Sequence, residues 1–527
     1  MKVGIYLGYE PGVKLNKEGL GRYLAKVVKT LCDNGDEIII ACPSWLNKEI
    51  RKLFNEFDIR GKNDIINVAK LPFSLRVWFF FQNIKKGKKK KHSLKKFFEI
   101  IISIIEWLFL QSNSMVFLIS FMILITLGIL LSPVVLLFAA FVLFLRVSKK
   151  VAKKSARKLY RGFEYLYEYT YKNYVDFRKN LYWKALSNTR KLLCKHVNTS
   201  NVRADIWYSP SIFWPEFNDI IGKKMVNVPD LVTSTFPIQW GNHYDELIKT
   251  NECRRTIEES DYFITYSEYI SRTLLQKKFG KDEKSIFVIP HSINNLEEPI
   301  KLQNAHFSGE ELKKWESAIC REILQQAKYH VVNEIEYVRD YDIKSAKYIF
   351  YASQDRPHKN ILNLVKAYEY LLRRRYINMK LFLTANINNN PELMEYIREK
   401  ELEHDVLAFY DLSQKELAAF YHEANLVVNP TLYEGGFPFT FGEGMSVGVP
   451  SVMSSIPQVL EEISNSEFVN NALFDPYNVD DIAKKIEYGL NNRERLYEIE
   501  LETYNRMLVD YSEKESSKRY INAFSCV

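Results

Sequence analysis

Two stretches of this 527-residue chain place residues of reactive type at spacings that could serve one ligand. The first is SQDRPHKN, which follows the apolar run KYIFYAS and precedes ILNLVKAYEYLLRRR. Arg356 and Lys359 therefore fall between the end of a strand and the start of a helix. Backbone N–H groups, the positive end of the helix dipole and two cations converge in such a turn, which suits a diphosphate. The competing reading is a solvated basic turn, with His358 as a packing or turn residue. The second stretch is NPTLYEGGFPFTFGEGMSVGVPSV. Gly435 and Gly436 let the backbone approach a ligand closely, and Pro438 suits the start of a helix. On one regular helix, nine residues would turn about 900° and put Glu434 and Glu443 on opposite faces. The two converge only if Glu434 sits in the loop and Glu443 on the helix. A carboxylate can accept two hydrogen bonds from a vicinal diol, so Glu443 suits ribose hydroxyls and Glu434 a sugar. Helix capping and plain surface carboxylates are the alternatives.

In the earlier part of the chain, VPDLVTSTFP offers Asp230 as an acceptor-side carboxylate or as a turn former after a strand. His291, in IPHSIN, reads as a hinge residue.

These residues need a scaffold of alternating strands and helices. KVGIYLGY, EIIIAC, DIINVAKL, ADIWYSP, KKMVNVPD, DYFITYS and SIFVIP read as strands, with GLGRYLAKVVKTLCDNG and SEYISRTLLQKKFG as amphipathic helices between them. KYIFYAS, MKLFLTAN, DVLAFYD, NLVVNP and PSVMS restart the pattern. Short apolar strands separated by helices predict parallel α/β sheets, which bind ligands at the carboxyl ends of their strands. The expected organisation is an acceptor-side domain from 1–73 and 201–300, an insertion at 74–200 and a helical connection at 301–344. A second doubly wound domain at 345–500 and a terminal helix at 501–527, packing back on the first domain, complete it.

Composition bounds the class. Apolar residues make up 47% and charged residues 26%, which excludes a disordered or fibrous chain. The net charge is +9, but residues 85–161 alone carry +14, leaving −5 for the rest. The basic character is thus local and gives no support to nucleic acid as a partner. The six cysteines are scattered without C-x-x-C pairing or histidines at ligand spacing, and read as reduced thiols rather than a metal site. The segment MKVGIYLGYE reads as a first strand and not as a signal peptide.

The insertion carries an apolar run, 97–145, broken only by Glu99, Glu106 and the polar stretch Gln111–Ser114. As a helix, Met115–Leu145 would be about 46 Å long, whereas one crossing needs about 20 residues. Basic runs, KKGKKKKHSLKK and RVSKKVAKKSARK, flank it on both sides, so both flanks are expected in the cytoplasm. The two halves of the first sheet must also lie on one side of the membrane. Both arguments predict an even number of crossings or a re-entrant hairpin, turning near Gln111–Ser114 or Ser132–Pro133. Beyond it, Tyr160, Phe163, Tyr167, Tyr171 and Tyr174 form one helical face, suited to membrane lipid headgroups or to packing against the catalytic body.

With these motifs assembled, the chain resembles glycosyltransferase family 4, the retaining group with the GT-B fold. The likeness rests on EGLGRY, YSEYISRTLLQKKFG, SQDRPHKN, FYDLSQKELAAFYHEANLVVNPTLYEGGFPF and GEGMSVGVPSV. It covers most of the chain outside 74–200 and 301–345. The resemblance implies two Rossmann-like domains facing a cleft and a nucleoside-diphosphate sugar as donor. It implies that Arg356 and Lys359 neutralise the donor diphosphate, and that Glu443 holds the ribose. Glu434 and the backbone of Gly435, Gly436 and Phe437 would face the sugar, and Asp411 and Leu412 would meet the base. Gly19 and Gly21 would let the first loop approach the phosphates and the acceptor. No metal or other cofactor is implied. Two features depart from the family pattern. Eight residues separate Glu434 from Glu443, where seven are usual, and Pro229 stands before Asp230 where a histidine is often found. The EGGFPFTF loop resembles mannosyltransferase-like members, which favours a GDP-mannose type of donor. An insertion in the acceptor-side domain points to a lipid-linked or surface-glycan acceptor at the cytoplasmic face of the membrane. The competing functions are a non-catalytic sugar-nucleotide-binding scaffold and a GT-B sugar-nucleotide epimerase.

Overall fold

The computed structural model describes residues 1–15, 19–59, 63–67, 122, 182–200, 202–236, 244–302 and 309–527. Apart from Met122, the apolar hairpin expected at 97–145 and the aromatic face from Tyr160 to Tyr174 lie outside the described residues. Among the described residues, no helix is long and apolar enough to cross a membrane.

The chain falls into two compact units, 1–207 with 216–222, and 208–215 with 223–527. The division therefore lies inside the expected first domain and not near residue 300. The reason is close packing within the second unit, where residues 229–230, 266 and 293 meet the loop and helix at 435–442.

In the first unit, β1 (Lys2–Tyr6), β2 (Glu37–Cys42) and β3 (Asn63–Asn67) pair in parallel, β1 with β2 and β2 with β3. After a charged first residue, Lys2 or Glu37, β1 and β2 are apolar and buried, as parallel strands covered on both faces must be. Residues 182–199 are helical and follow the insertion. A buried polar network ties this helix to the loop after β1. Arg190 Nε donates to the Gly8 carbonyl at 2.9 Å, and Arg190 faces Glu216 at 3.9 Å. Glu216 also accepts from Ser187, and Tyr182 donates to Glu10 at 2.8 Å.

Strand β4 (Ile206–Ser209) stands at the division of the units. In the second unit β5 (Lys224–Asn227), β6 (Tyr262–Thr265) and β7 (Ile286–Val288) pair in parallel in that order. SEYISRTLLQKKFG forms a π-helical segment, Ile270–Lys278, wider than the expected α-helix.

The remaining strands are β8 (Tyr348–Tyr351), β9 (Lys380–Leu383), β10 (Val406–Ala408), β11 (Leu426–Asn429), β12 (Ser451–Ser454) and β13 (Leu473–Phe474). They form a sheet of order β10-β9-β8-β11-β12-β13. The order reverses between β8 and β11, which makes the crevice beyond their carboxyl ends a ligand position. Helix Ile361–Arg374 buries Ile361, Leu364, Val365, Tyr368 and Leu371, the three- and four-residue spacing of one helical face. Helix Gln414–His422 is started by a capping box. Glu416 N–H donates to Ser413 Oγ at 3.3 Å, and Ser413 N–H to Glu416 Oε2 at 2.7 Å. The two faces of the sheet bury separate cores. One is aliphatic around Leu364, Leu381 and Val428, and the other aromatic around Tyr348, Phe350, Phe382, Phe409 and Phe420.

The terminal segment is two helices and not one. Arg493–Asp510 ends, and Ser512 caps Glu513–Ser525 through the Glu515 N–H. Phe524 then packs edge-on against Tyr208 at 5.4 Å.

Glu500, on the first of these helices, is fully buried, and its carboxyl accepts the Ser451 N–H at 3.0 Å. Burial pushes this carboxyl well above the ordinary range, opposed only by that hydrogen bond. A raised folded-state pKa gives stability that is present below the unfolded pKa and lost as pH rises toward the folded value. Glu500→Gln is therefore expected to stabilise the protein at pH 8 and to gain nothing at pH 4. Urea unfolding at both pH values reads the difference, and equal shifts at both would refute a buried acid.

Candidate functional site

The turn after β8 is built by its own sequence. Pro357 opens a tight turn, Pro357–Lys359, and Asn360 closes it in the left-handed conformation at φ 56°. Asn360 Nδ2 donates to the carbonyls of Pro430 at 3.0 Å and Pro476 at 2.8 Å. The carbonyl of buried His358 accepts the Leu432 N–H at 2.7 Å and the Thr431 hydroxyl at 3.2 Å. The turn is thus stitched to the loop after β11, seventy-odd residues away. One consequence is a direct ion pair, Lys359 Nζ to Glu434 Oε1 at 2.5 Å.

Asp230, in the turn after β5, joins the same cluster. Burial pushes its carboxyl above the ordinary range, while the charges of Lys359 and Arg356 pull it down and Glu434 pushes it up. Two cations and two carboxylates thus share one electrostatic neighbourhood. Gly435 permits the approach. A Cβ there would lie 2.1 Å from the Pro229 carbonyl oxygen and 3.6 Å from Asp230 Cβ. Among the described residues, nothing accepts the N–H groups of Gly435, Gly436 or Phe437. Successive open N–H groups beside two cations are suited to an anion.

Glu434 stands in the loop and Glu443 on helix Phe439–Ser446, whose N-cap is Pro438. This is the arrangement that convergence on one ligand requires. Glu443 has partners that the sequence reading missed. Asn294 Nδ2 donates to its Oε1 at 2.8 Å and Tyr421 OH to its Oε2 at 2.6 Å. Tyr421 lay within the quoted motif FYDLSQKELAAFYHEANLVVNP, but nothing in its spacing pointed to Glu443.

The other expected residues are placed as follows. Phe437 lines a small, largely apolar pocket with His291, Phe439, Met507 and Tyr511. The His291 ring lies tilted against Tyr266 and Phe439, with centroids 3.7 and 4.6 Å apart, so it is held in an aromatic contact. Asp411 is exposed in the turn after β10 at φ 61°, and Leu412 packs partly on the aromatic core. Gly19 and Gly21 open helix Gly19–Asp33. A Cβ at Gly21 would lie 1.9 Å from the Leu15 carbonyl oxygen, so this glycine admits the preceding loop to the helix. Among the described residues, no group of three His, Cys, Asp or Glu side chains could hold a metal ion.

Comparison with known proteins bears on the same region. Residues 334–506 match the model of the family Glycosyl transferases group 1, so the chain carries such a domain. That span includes Arg356, Lys359, Asp411, Leu412, Glu434 and Glu443. O-antigen chain mannosyltransferase B of Escherichia coli is 26% identical over 157 residues, 29% of this chain and 40% of the relative. Lipopolysaccharide 1,2-N-acetylglucosaminetransferase of Salmonella typhimurium is 26% identical over 184 residues, 34% of this chain and 48% of the relative. The chain therefore spans less than half the length of these curated relatives. Among solved structures, Anabaena HepE in complex with UDP and glucose has a TM-score of 0.53 at 12% identity, covering 100% of both chains. A glycosyltransferase from Rickettsia africae has a TM-score of 0.51 at 13% identity, covering 99% of this chain and 97% of its own. The shared fold is an α/β, GT-B-like one with two parallel sheets.

Two outcomes test this geometry. Burial, with the charges of Lys359 and Arg356, pushes His358 down to about 3. A lowered histidine contributes stability that is full above its unfolded pKa, about 6.5, and lost as pH falls. His358→Asn is expected to shrink the stability difference between pH 7 and pH 5 by about 2 kcal/mol in urea unfolding. An unchanged difference would contradict a neutral buried ring. Separately, Gly435→Ala is expected to cost about 1–3 kcal/mol through overpacking. Gly436→Ala, whose nearest contact is Tyr266 Cβ at 3.1 Å, should lower Tm less. The reverse order would refute the approach of Gly435 to Pro229.

Proposed function

We propose that this chain is a membrane-attached, retaining glycosyltransferase that moves a hexose from a nucleoside-diphosphate sugar to a lipid-linked or surface-glycan acceptor. The observation that carries the reading is the cluster of Arg356, Lys359, Glu434 and Asp230 beside the open N–H groups of Gly435 to Phe437. It lies at the carboxyl ends of parallel strands, and its second-sheet part falls within the matched domain.

In the proposed step, the bond from the anomeric carbon to the diphosphate oxygen breaks on the face where the acceptor oxygen arrives. The new carbon–oxygen bond forms on that same face, so configuration is retained. The acceptor's proton passes to the departing phosphate oxygen. Arg356 and Lys359 offset the charge that grows there. The open N–H groups and Glu434 face the sugar, and Glu443 takes the ribose hydroxyls. Asp411 and Leu412 border the base. Asp230 orients the acceptor side. Side chains supply the positive charge in this route, which requires no metal ion.

Membrane attachment rests on the apolar run 97–145 and its basic flanks, which favour the cytoplasmic face of an anionic bilayer. The relatives' names include a mannosyltransferase and an N-acetylglucosaminetransferase, and HepE was solved with UDP and glucose. Both uridine and guanosine donors therefore belong in the test, with GDP-mannose as the first candidate.

The test follows nucleoside-diphosphate release from UDP- and GDP-sugars by the detergent-solubilised full chain, with membrane lipid extract as acceptor. Expected is one preferred donor and release that depends on the extract. Lys359→Ala should lose about 100- to 1,000-fold in kcat. Glu443→Ala should lose about 10- to 100-fold in kcat/KM, the worth of hydrogen bonds to a charged group. Nucleotide binding without release from any donor would overturn the transferase reading in favour of a binding scaffold.

A further inference from the structure

The carbonyl oxygens of Glu434 and Gly435 are each held by a buried side chain. Gln458 Nε2 donates to the Glu434 carbonyl at 2.7 Å. Ser267 Oγ donates to the Gly435 carbonyl at 2.9 Å. The two donors are 1% and 3% exposed. The Ser267 hydroxyl is itself oriented, because it accepts the Ile270 N–H at 3.3 Å and has only one proton to give.

A third bond links the two donors' own segments. Tyr269 N–H donates to Glu461 Oε2 at 2.7 Å. Ser267 and Tyr269 lie in the turn after β6, and Gln458 and Glu461 lie on and just after helix Pro457–Leu460. The loop, the turn and the helix are therefore closed into a ring by three hydrogen bonds, from residues widely separated in sequence.

The consequence follows from peptide geometry. In a planar trans peptide the N–H points opposite to the C=O. Holding the carbonyl of Glu434 fixes the direction of the Gly435 N–H. Holding the carbonyl of Gly435 fixes that of the Gly436 N–H. Neither glycine has a side chain to hold its own backbone, so the direction has to be imposed from outside. These are the same N–H groups that nothing else accepts among the described residues.

We infer that Ser267 and Gln458 are positioning residues for the transfer, aiming the Gly435 and Gly436 N–H groups at the donor sugar, with the Tyr269–Glu461 bond keeping the two donors in register. This inference rests on the transferase reading above. Neither side chain touches the reacting atoms. Removing one leaves a buried carbonyl without its donor and lets the peptide plane rotate.

The experiment uses the full detergent-solubilised chain and the variants Ser267→Ala, Ser267→Thr, Gln458→Met and the Ser267→Ala/Gln458→Met double. Diphosphate release is measured with UDP-glucose, UDP-N-acetylglucosamine and GDP-mannose, and Kd with UDP and GDP alone. Each alanine or methionine variant is expected to lose about 10- to 100-fold in kcat. Its Kd for the free diphosphate should stay within about threefold, since the base and ribose contacts are untouched. Ser267→Thr keeps the hydroxyl and should stay within about threefold of wild type. The double variant should lose little more than the worse single, because one cut already opens the ring. Variants with wild-type kcat, a threonine as poor as alanine, a multiplicative double or a matching loss in diphosphate affinity would each overturn the inference. A wild-type chain that binds UDP or GDP yet releases neither from any donor overturns the transferase reading itself, and this role with it.

Discussion

The candidate site depends on one covalently unremarkable group, the carbonyl of His358. It accepts both the Leu432 N–H and the Thr431 hydroxyl, and so fastens the turn after β8 to the loop after β11. β8 and β11 are neighbours in the sheet, so their following turns emerge side by side. Adjacency alone would leave the two turns free to sway. The His358 carbonyl, with Asn360 bonded to Pro430, removes that freedom. Lys359 and Glu434 can then meet at 2.5 Å without either long side chain searching for the other. The left-handed backbone at Asn360 is the local strain that this fastening requires, and Asn is among the side chains that tolerate it best.

The same region explains where glycine is needed and where it is not. Gly435 admits the Pro229 carbonyl, and Gly442 admits Ile293, whose Cγ2 would lie 2.8 Å from a Cβ at that position. Both contacts bring segments after β5 and β7 against the loop and helix after β11. That is why the compact unit runs through residue 300 without a break. Glu443 gains from the same contact, because Asn294 follows Ile293 and reaches one of its oxygens. Tyr421 fixes the other oxygen from within the second sheet's own helix. A carboxylate gripped on two sides has one orientation, which is a condition for recognising a diol.

Much of this was legible in the sequence because periodicity and chain geometry are local. The apolar runs became parallel strands, and the separation of Glu434 from Glu443 already forced one into a loop and the other onto a helix. What stayed hidden depends on pairs distant along the chain. Nothing local marks Tyr421 or Asn294 as partners of Glu443, or Asp230 as a neighbour of Lys359. The crowding at Gly21 stayed hidden for a related reason, because only the fold brings the Leu15 carbonyl oxygen to 1.9 Å from where a Cβ would stand. Strand β13 has two residues, too few for any alternation to register. The break before Ser512 falls in a polar helical stretch where capping outweighs propensity.

Charge balance ties the site to the proposed reaction. Without a donor, Lys359 pairs with Glu434, and the charges of Lys359 and Arg356 both act on Asp230. That balance lets half-buried charges persist without a ligand, since an uncompensated buried charge is strongly unfavourable. In the proposed reaction a diphosphate would bring negative charge and open lone pairs to the same cations and compete with Glu434 for Lys359. Lys359 would then turn to the leaving group, and Glu434, released from its partner, would face the sugar. One exchange of partners would thus prepare both groups at the moment the donor arrives, and neither would be left exposed and idle before it.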